Sequence, residues 1–240
     1  MSVAVTRCAD ERELARAGAD AVADVVSRDA RAVATFATGN SAAPIYRELA
    51  ERVARREMDC SRLRVFELDG YVGIPVSDRR SLYAWLIRDV LVPLRIPEAN
   101  VTRLRGEDAD LAAACREYDR RLDEVGGYDV ALLGLGPNGH VAFNEPPADP
   151  DSDAHVLGVT DESVASAVRY WGSPEAVPRR AITTGLKRLR AARRAVLVAR
   201  GEAKRDALIR TLSGAPDPMT PASFLVRSAD FRVITDLSGL

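Results

Sequence analysis

Residues that could transfer protons lie close together in the stretch "GLGPNGHVAFNEP", at positions 134–146. It places an imidazole, His140, five residues before a carboxylate, Glu145. A carboxylate that binds one ring nitrogen fixes the tautomer of a histidine, so the two could act as an oriented acid–base pair. Taken singly, His140 could equally be a loop histidine bound to the backbone, and Glu145 a capping or surface carboxylate.

The glycines around this stretch, Gly134, Gly136 and Gly139, have the G-x-G-x-x-G spacing of dinucleotide-binding loops. In those loops the third glycine opens a helix, and an acidic residue ends the next strand about 20 residues later. Here the third glycine leads into "HVAFNEPPADPDSD", whose prolines and aspartates do not start a regular helix. We therefore interpret the glycines as letting backbone amides approach an anion or a hydroxyl-rich ligand.

Two further loops carry polar candidates directly after apolar runs. Asp69 follows "LRVFEL", and a shielded carboxylate at a strand end can have its pKa raised into a range useful for removing a proton beside a carbonyl. Before a glycine, Asp69 could instead be a simple turn residue. The other loop lies between a strand and a helix, where free amides and the helix dipole attract phosphate, although a plain turn is the alternative. Its candidate residues are Thr38, Gly39, Asn40 and Ser41.

Short apolar runs that alternate with amphipathic segments must position these residues. Strands are predicted at 32–38, 63–68, 129–135, 194–199 and 231–235, and helices at 11–28, 41–57, 80–94 and 107–126. The alternation predicts an α/β fold: a doubly wound, mainly parallel sheet with helices on both faces, Rossmann-like in architecture. Ligands of such sheets bind at the carboxyl ends of the strands, where the candidate loops lie.

No linker divides the chain, so we predict a single domain over 1–240. The Pro- and Asp-rich loop 146–154 is the exception to the regular pattern, and it predicts a mobile lid around 146–175 with His155 on its surface.

Charge and composition exclude several classes of partner. Lys plus Arg number 34 and Asp plus Glu 35, so no overall charge favours nucleic acid or a membrane surface. The basic run 186–194 is expected to form a solvated helix face. Cys8, Cys60 and Cys115 have no metal-ligand spacing and indicate reduced thiols in the cytoplasm, and no metal site is predicted. Neither a signal peptide nor an apolar run of about 20 residues is evident.

Five motifs occur in the order and spacing of one protein family, over about residues 10–236. They are "ATGNSAAPIYREL", "ELDGYVGIP" with "SLYAWL", "LGLGPNGHVAFNEP", "VPRRAITTGL" and "ARGEAKRDAL". In these motifs the chain resembles the glucosamine-6-phosphate deaminase family, which is related to 6-phosphogluconolactonases. The "FNEP" segment is the specific part, since the lactonases typically lack it.

The resemblance implies a reaction without a cofactor, in which glucosamine 6-phosphate becomes fructose 6-phosphate and ammonium. It assigns ring opening to His140, its orientation to Glu145 with Asn138 in the same relay, and proton transfer between C2 and C1 to Asp69. Gly136 and Gly139 would line the sugar site.

The resemblance also implies phosphate-binding cations. Lys204 matches a phosphate-binding lysine of the family, and Arg169 matches an arginine only if a gap is allowed; without it the position falls on Val168. Family members occur as monomers and as larger assemblies, so a homo-oligomer is allowed.

Two departures from the family pattern concern catalysis and regulation. Gly70 stands where the family usually has Glu, so a carboxylate near Asp69 is missing. The basic residues that bind an allosteric activator have no counterpart around Ala154 and Val156, so we expect no activation by N-acetylglucosamine 6-phosphate.

Three functions remain open at this point. The first is the deaminase–isomerase, and the second is a hydrolase of the 6-phosphogluconolactone type, which needs His140 but no base at Asp69. The third is a sugar-phosphate-sensing domain without catalysis. The expected partner is in each case a small sugar phosphate.

Overall fold

The chain folds around two β-sheets. The computed structural model describes residues 3–239. Its strands are β1 (Ala4–Arg7), β2 (Val33–Phe36), β3 (Arg64–Phe66), β4 (Asp69–Tyr71), β5 (Val101–Thr102), β6 (Val130–Gly134), β7 (His155–Gly158), β8 (Arg180–Thr183), β9 (Arg194–Ala199) and β10 (Phe231–Thr235). Its helices are α1 (Glu11–Arg28), α2 (Ala43–Ala54), α3 (Leu82–Leu86) with a π-helical turn (Ile87–Leu91), α4 (Leu111–Glu124), α5 (Asp161–Trp171), α6 (Leu186–Arg190) and α7 (Arg205–Leu212).

The larger sheet has seven strands in the order β1-β10-β9-β6-β2-β3-β5, and all of its pairings are parallel. The chain runs outward from β2 through β3 to β5, and in the other direction from β6 through β9 and β10. The order therefore reverses between β2 and β6. A crevice opens at the carboxyl end of such a switch point, because the two connecting loops leave toward opposite sides.

Apolar side chains of this sheet alternate between two cores. Val33 in β2 and Leu133 in β6 pack toward α4, α6 and α7, whereas Phe36 and Leu132 pack toward α1 and α2. Both faces are thus covered by helices, which confirms the predicted α/β architecture. Within residues 3–239, no helix combines the length and apolar character needed to cross a membrane.

A second sheet of three antiparallel strands, β4-β8-β7, lies next to the carboxyl edge of the first. Thr183 at the end of β8 is opposite Asp69 on one side and His155 on the other. A small apolar cluster that includes Tyr71, Phe143 and Trp171 packs this sheet against α5. The segment predicted as a lid, 146–175, therefore contains β7 and α5; its motion, like the single-domain assignment, stays a prediction.

The solvated helix face predicted for 186–194 is wrong at its end. Helix α6 stops at Arg190, and Arg194 begins β9, as the predicted strand 194–199 has it, but is only 6% exposed. Its guanidinium lies 2.7 Å from carboxylates of both Asp24 and Asp230 and donates to the carbonyl oxygen of Ala21. These acceptors come from α1 and from the residue before β10, so the sequence near Arg194 gives no sign of them.

Loop 146–154 is packed closely against the start of α6. Ser152 accepts from the amides of Leu186 (3.1 Å, by Oγ) and Lys187 (3.2 Å, by its carbonyl). A Cβ at Gly185 would overlap the carbonyl oxygens of Ser152 and Asp153.

We expect Gly185→Ala to lower the free energy of unfolding by about 2–3 kcal/mol, because backbone atoms would have to move. Gly158→Ala is the matched control: a Cβ there meets nothing within 4 Å, so a change within about 0.5 kcal/mol is expected. Urea unfolding followed by circular dichroism measures both. Equal stability of the two variants would show that loop 146–154 can leave α6 without cost.

Candidate active site

A cavity of about 470 Å³ opens at the switch point, between the carboxyl ends of β2 and β6. Segments after β2, β3, β6 and β9 line it together with α5. Of the residues predicted from the sequence, Thr38, Gly39, Asn40, Ser41, Asp69, Gly136, His140, Arg169 and Lys204 line the cavity. The remaining three, Asn138, Gly139 and Glu145, do not line it.

Asp69 lies at the start of β4 and is 8% exposed. Its strand is held by pairing with β8 and by the Thr184 amide, which donates to the Leu68 carbonyl oxygen (3.0 Å). Burial raises the pKa of the Asp69 carboxyl to about 7. A carboxyl with that proton affinity can both remove and return a proton near neutral pH.

The imidazole of His140 lies directly over Gly136. A Cβ at Gly136 would overlap the ring, and the Gly136 amide donates to the His140 carbonyl oxygen (2.8 Å). Gly139 has a φ of +90°, the left-handed region that favours glycine. Gly136 and Gly139 thus let the chain turn back and place His140 at the cavity wall. The glycine spacing serves this turn and not the dinucleotide contact that the same spacing makes in other proteins.

His140 is oriented through its Nδ1 atom. Nδ1 lies 3.3 Å from Glu145 Oε2 and 3.2 Å from Ser163 Oγ, so a proton on Nδ1 can be donated to either oxygen. Nε2 is then the nitrogen left to act on a ligand. Glu145 Oε2 also accepts from Asn138 Nδ2 (2.7 Å) and from the Thr160 hydroxyl (3.1 Å).

The Glu145 carboxylate is kept ionised by these donors. Burial on its own would raise its pKa, but the hydrogen bond and charge of His140, with donors from Ser163 and Asn138, lower the pKa to about 2. Its other oxygen, Oε1, is buried without a hydrogen-bond partner in the described chain. A buried carboxylate with hydrogen bonds to only one of its oxygens lowers the free energy of unfolding. Such unfavourable groups are typical of functional sites.

Thr160 and Ser163, which sequence reasoning missed, come from the N-terminus of α5. Thr160 caps the helix by accepting from the Ser163 amide (3.3 Å), and its hydroxyl still donates to Glu145. The pattern "TDES", a threonine before two acidic residues, is a recognisable helix start. It could have located α5, but not the contact with His140.

One short segment, Thr183–Thr184, joins Asp69 to the loop that carries His140. Thr183 Oγ1 accepts from the Phe143 amide (3.2 Å), and the carbonyl oxygen of Thr184 accepts from Asn144 Nδ2 (3.0 Å). Because β8 also pairs with β4, the positions of Asp69 and of the His140 loop are set by the same two threonines.

Two cations share one corner of the cavity without a carboxylate partner in the described chain. Burial lowers the pKa of Lys204, and the nearby positive charge of Arg169 lowers it further. Val168, the alternative to Arg169, packs instead against the apolar cluster of α5. Loop 38–41 adds the start of α2, which has no side-chain cap. Such an arrangement suits an anion.

Aromatic rings form another part of the cavity wall. Tyr71 lies 5.1 Å from Phe143 and 5.4 Å from Trp171, measured between ring centroids. The Arg80 guanidinium stacks 4.4 Å above Trp171. Rings of this kind can contact the carbon faces of a sugar.

The fold and site define an α/β protein whose switch-point cavity brings together a histidine–carboxylate pair, a buried aspartate and a corner with two cations. A family model described as glucosamine-6-phosphate isomerases/6-phosphogluconolactonase matches residues 9–234. The chain belongs to this family, which confirms the resemblance seen in its motifs.

Named relatives match nearly the whole chain. A glucosamine-6-phosphate deaminase of Clostridium botulinum (strain Hall) is 33% identical over 224 residues, which are 93% of this chain and 92% of the relative. Another from Cutibacterium acnes is 37% identical over 229 residues, 95% of this chain and 88% of the relative.

Solved structures give the same likeness. A monomeric glucosamine-6-phosphate deaminase superposes with a TM-score of 0.94 at 28% identity, over 97% of each chain. A 6-phosphogluconolactonase of Thermotoga maritima gives a TM-score of 0.77 at 19% identity, over 98% of this chain and 99% of that one. The second comparison shows a shared fold.

The raised pKa of Asp69 predicts a cost in stability. Between pH about 4 and 7 the unfolded chain loses the Asp69 proton while the folded protein keeps it, so folding loses stability as the pH rises. Asp69→Asn removes this loss, and we expect its gain in unfolding free energy to be about 2–3 kcal/mol larger at pH 8 than at pH 5.

Urea unfolding of both proteins at the two pH values measures this difference. Asp161→Asn, with a side chain 99% exposed, is the control and should change stability equally at both. An equal effect of Asp69→Asn at pH 5 and pH 8 would show that folded Asp69 is already ionised at pH 5.

Proposed function

We propose that this protein converts glucosamine 6-phosphate and water into fructose 6-phosphate and ammonium. The observation that carries the proposal is the meeting of three groups on one cavity: the buried Asp69 carboxyl, the oriented His140 imidazole and the Lys204–Arg169 corner. The relatives' names agree with this reaction.

The phosphate anchors the substrate in this proposal. Lys204 and Arg169 neutralise its charge, and the amides of loop 38–41 at the start of α2 donate to its oxygens. Anchoring at C6 lays the sugar across the cavity toward Asp69 and His140, which line the same space.

Ring opening comes first and is assigned to His140. The unprotonated Nε2 removes the proton of the O1 hydroxyl and returns it to the ring oxygen as the C1–O5 bond breaks, giving an open-chain aldehyde. Glu145 stabilises the imidazolium that forms in between, because its carboxylate stays charged next to Nδ1.

The shift of the double bond is assigned to Asp69. Its carboxylate removes the proton from C2 of the aldehyde while O1 takes a proton from the ammonium group on C2, which gives a neutral enol-amine, and Asp69 then returns its proton to C1. The resulting iminium at C2 adds water and expels ammonium, and the ketone of fructose 6-phosphate remains. All steps are proton transfers and a hydrolysis, so the proposal includes no cofactor.

A small sugar phosphate is the only partner in the proposal. A cytoplasmic location and association into a homo-oligomer stay predictions from the sequence.

Asp69 separates the proposed reaction from its alternatives. Lactone hydrolysis needs an activated water but no proton transfer at carbon, so it gives no reason to bury a carboxyl beside the cavity. A sensing domain needs neither Asp69 nor the relay that orients His140.

The direct test incubates the protein with glucosamine 6-phosphate alone and measures ammonium and fructose 6-phosphate. We expect equal amounts of both, with kcat/KM falling below pH about 7 as Asp69 becomes protonated. Asp69→Asn should lower kcat about 100- to 10,000-fold, whereas Asp161→Asn should not. Near-normal hydrolysis of 6-phosphogluconolactone by Asp69→Asn would favour the lactonase, and tight binding without turnover would favour the sensor.

A second test locates the phosphate. Lys204→Met and Arg169→Met should each raise KM about 10- to 100-fold with a smaller effect on kcat, because each removes a charge-assisted hydrogen bond. The controls are Lys187→Met, an exposed lysine paired with Asp153, and Val168→Ala. A rise in KM for Val168→Ala but not for Arg169→Met would contradict the assignment to Arg169.

A further inference from the structure

The Glu145 carboxylate is offered more donors at one oxygen than that oxygen can bind. Oε2 accepts from Asn138 Nδ2 (2.7 Å) and from the Thr160 hydroxyl (3.1 Å), and Nδ1 of His140 is the third donor, at 3.3 Å. A carboxylate oxygen has two lone pairs, so the two nearer donors already occupy them. Glu145 is therefore a poor direct acceptor for a proton on the His140 ring.

Both nearer donors are fixed in orientation. Oδ1 of Asn138 accepts from the His140 amide (3.1 Å), so the side-chain amide cannot be reversed and Nδ2 must face Glu145. The Thr160 oxygen accepts from the Ser163 amide (3.3 Å), which leaves its own proton for Glu145. Neither donor can make room for the ring without losing another hydrogen bond.

The Ser163 hydroxyl is the other acceptor beside the ring. Its oxygen lies 3.2 Å from Nδ1 of His140, and Ser163 is 5% exposed and lines the same cavity as the ring. Within residues 3–239, no other group donates to this oxygen. A hydroxyl has two lone pairs and one proton that rotates to suit its neighbours. Ser163 can thus accept from Nδ1 and still direct its own proton to Glu145, whose pKa it helps to lower.

We propose that the Ser163 hydroxyl, and not Glu145, is the direct acceptor of the Nδ1 proton of His140, which makes Ser163 the positioning residue that holds the ring with Nε2 unprotonated. Glu145 then acts on the ring through its negative charge. The kinetic consequence rests on the proposed function, in which an unprotonated Nε2 removes the proton of O1. The tautomer of the ring does not depend on that function.

The charge of Glu145 decides the direction of this hydrogen bond. A hydroxyl beside an ionised carboxylate directs its proton toward the negative charge, so the lone pairs of Ser163 are what faces Nδ1. Nδ1 is then protonated because it has an acceptor beside it, and Nε2 is left as the basic nitrogen. Removing the hydroxyl leaves Nδ1 with only the occupied Oε2 of Glu145, so the two tautomers come closer in free energy.

The first experiment needs no substrate. The chain has two histidines, so nitrogen-15 labelling of the imidazoles gives an NMR spectrum with two sets of signals, which His155→Gln assigns. At alkaline pH the shifts of the two ring nitrogens report the ratio of the tautomers. His140 should carry its proton on Nδ1, and Ser163→Ala should lower the ratio of Nδ1–H to Nε2–H about three- to tenfold, the effect of one hydrogen bond. An unchanged ratio, or a wild-type ring protonated mainly at Nε2, would overturn the proposal whatever the activity.

Two further variants separate the hydroxyl from the helix that carries it. Ser163→Thr keeps a hydroxyl and should keep the wild-type ratio of tautomers. Ser166→Ala changes a second serine of α5 that makes no hydrogen bond to the ring in the described part of the chain, and it should leave the ratio unchanged. An equal change of the ratio in Ser166→Ala and Ser163→Ala would assign the effect to the helix and contradict the proposal.

The second experiment measures the kinetic consequence. Ser163→Ala should lower kcat about three- to tenfold, because fewer molecules have an unprotonated Nε2, and should leave KM within about twofold. Ser163→Thr should keep kcat, and Ser27→Ala, an exposed serine at the end of α1, is the control. A higher KM with an unchanged kcat in Ser163→Ala would make Ser163 a substrate contact and overturn its positioning role.

The two experiments separate this proposal from the proposed function. If glucosamine 6-phosphate is not turned over but the tautomer ratio responds to Ser163→Ala, the function fails and the assignment of the ring proton stands. If turnover occurs and the ratio does not respond, the assignment fails and the function stands.

Discussion

The site depends on the end of β8, where two adjacent threonines bind the segments that carry the acid–base groups. Thr183 pairs with Asp69 across the small sheet and accepts from the His140 loop, while Thr184 binds the Leu68 carbonyl and Asn144. The Thr184 hydroxyl also lies 3.1 Å from the Tyr128 hydroxyl, which is 2.6 Å from that of Tyr118. Asp69 and the His140 loop therefore share one support, which fixes their positions relative to each other.

This support allows the protein to hold two carboxyl groups at buried positions, although burial disfavours their charge. Burial raises the pKa of Asp69, whereas the hydrogen-bond donors around Glu145 lower its pKa. The two carboxyls consequently differ in protonation near neutral pH, which is the condition for one to exchange a proton while the other stays charged. Burying Asp69 lowers the free energy of unfolding near neutral pH, which is the cost of this difference in protonation. The apolar cores on both faces of the seven-stranded sheet offset that cost.

The sequence predicted the parts that depend on local pattern. Strands β9 and β10 and helix α1 have the predicted bounds, and the family resemblance is confirmed. The strands of the second sheet were missed, because β4, β7 and β8 have only three or four residues and are stabilised by partners distant in the chain. The buried ion pairs of Arg194 were missed for the same reason, because their acceptors lie on α1 and before β10. The contact of Ser163 with His140 also joins residues that the sequence pattern does not connect.

The remaining feature is the pair of cations, which links the two ends of the site. Arg169 is on α5, the helix whose first turn contacts His140 and Glu145 through Ser163 and Thr160. Lys204, from the segment after β9, is held near Arg169, whose positive charge lowers the pKa of Lys204 in addition to burial. An anion between the two cations would offset this repulsion, which is why the corner suits an anionic ligand in the proposed function. In the proposed function, the helix that carries Arg169 therefore also carries the two contacts that orient His140.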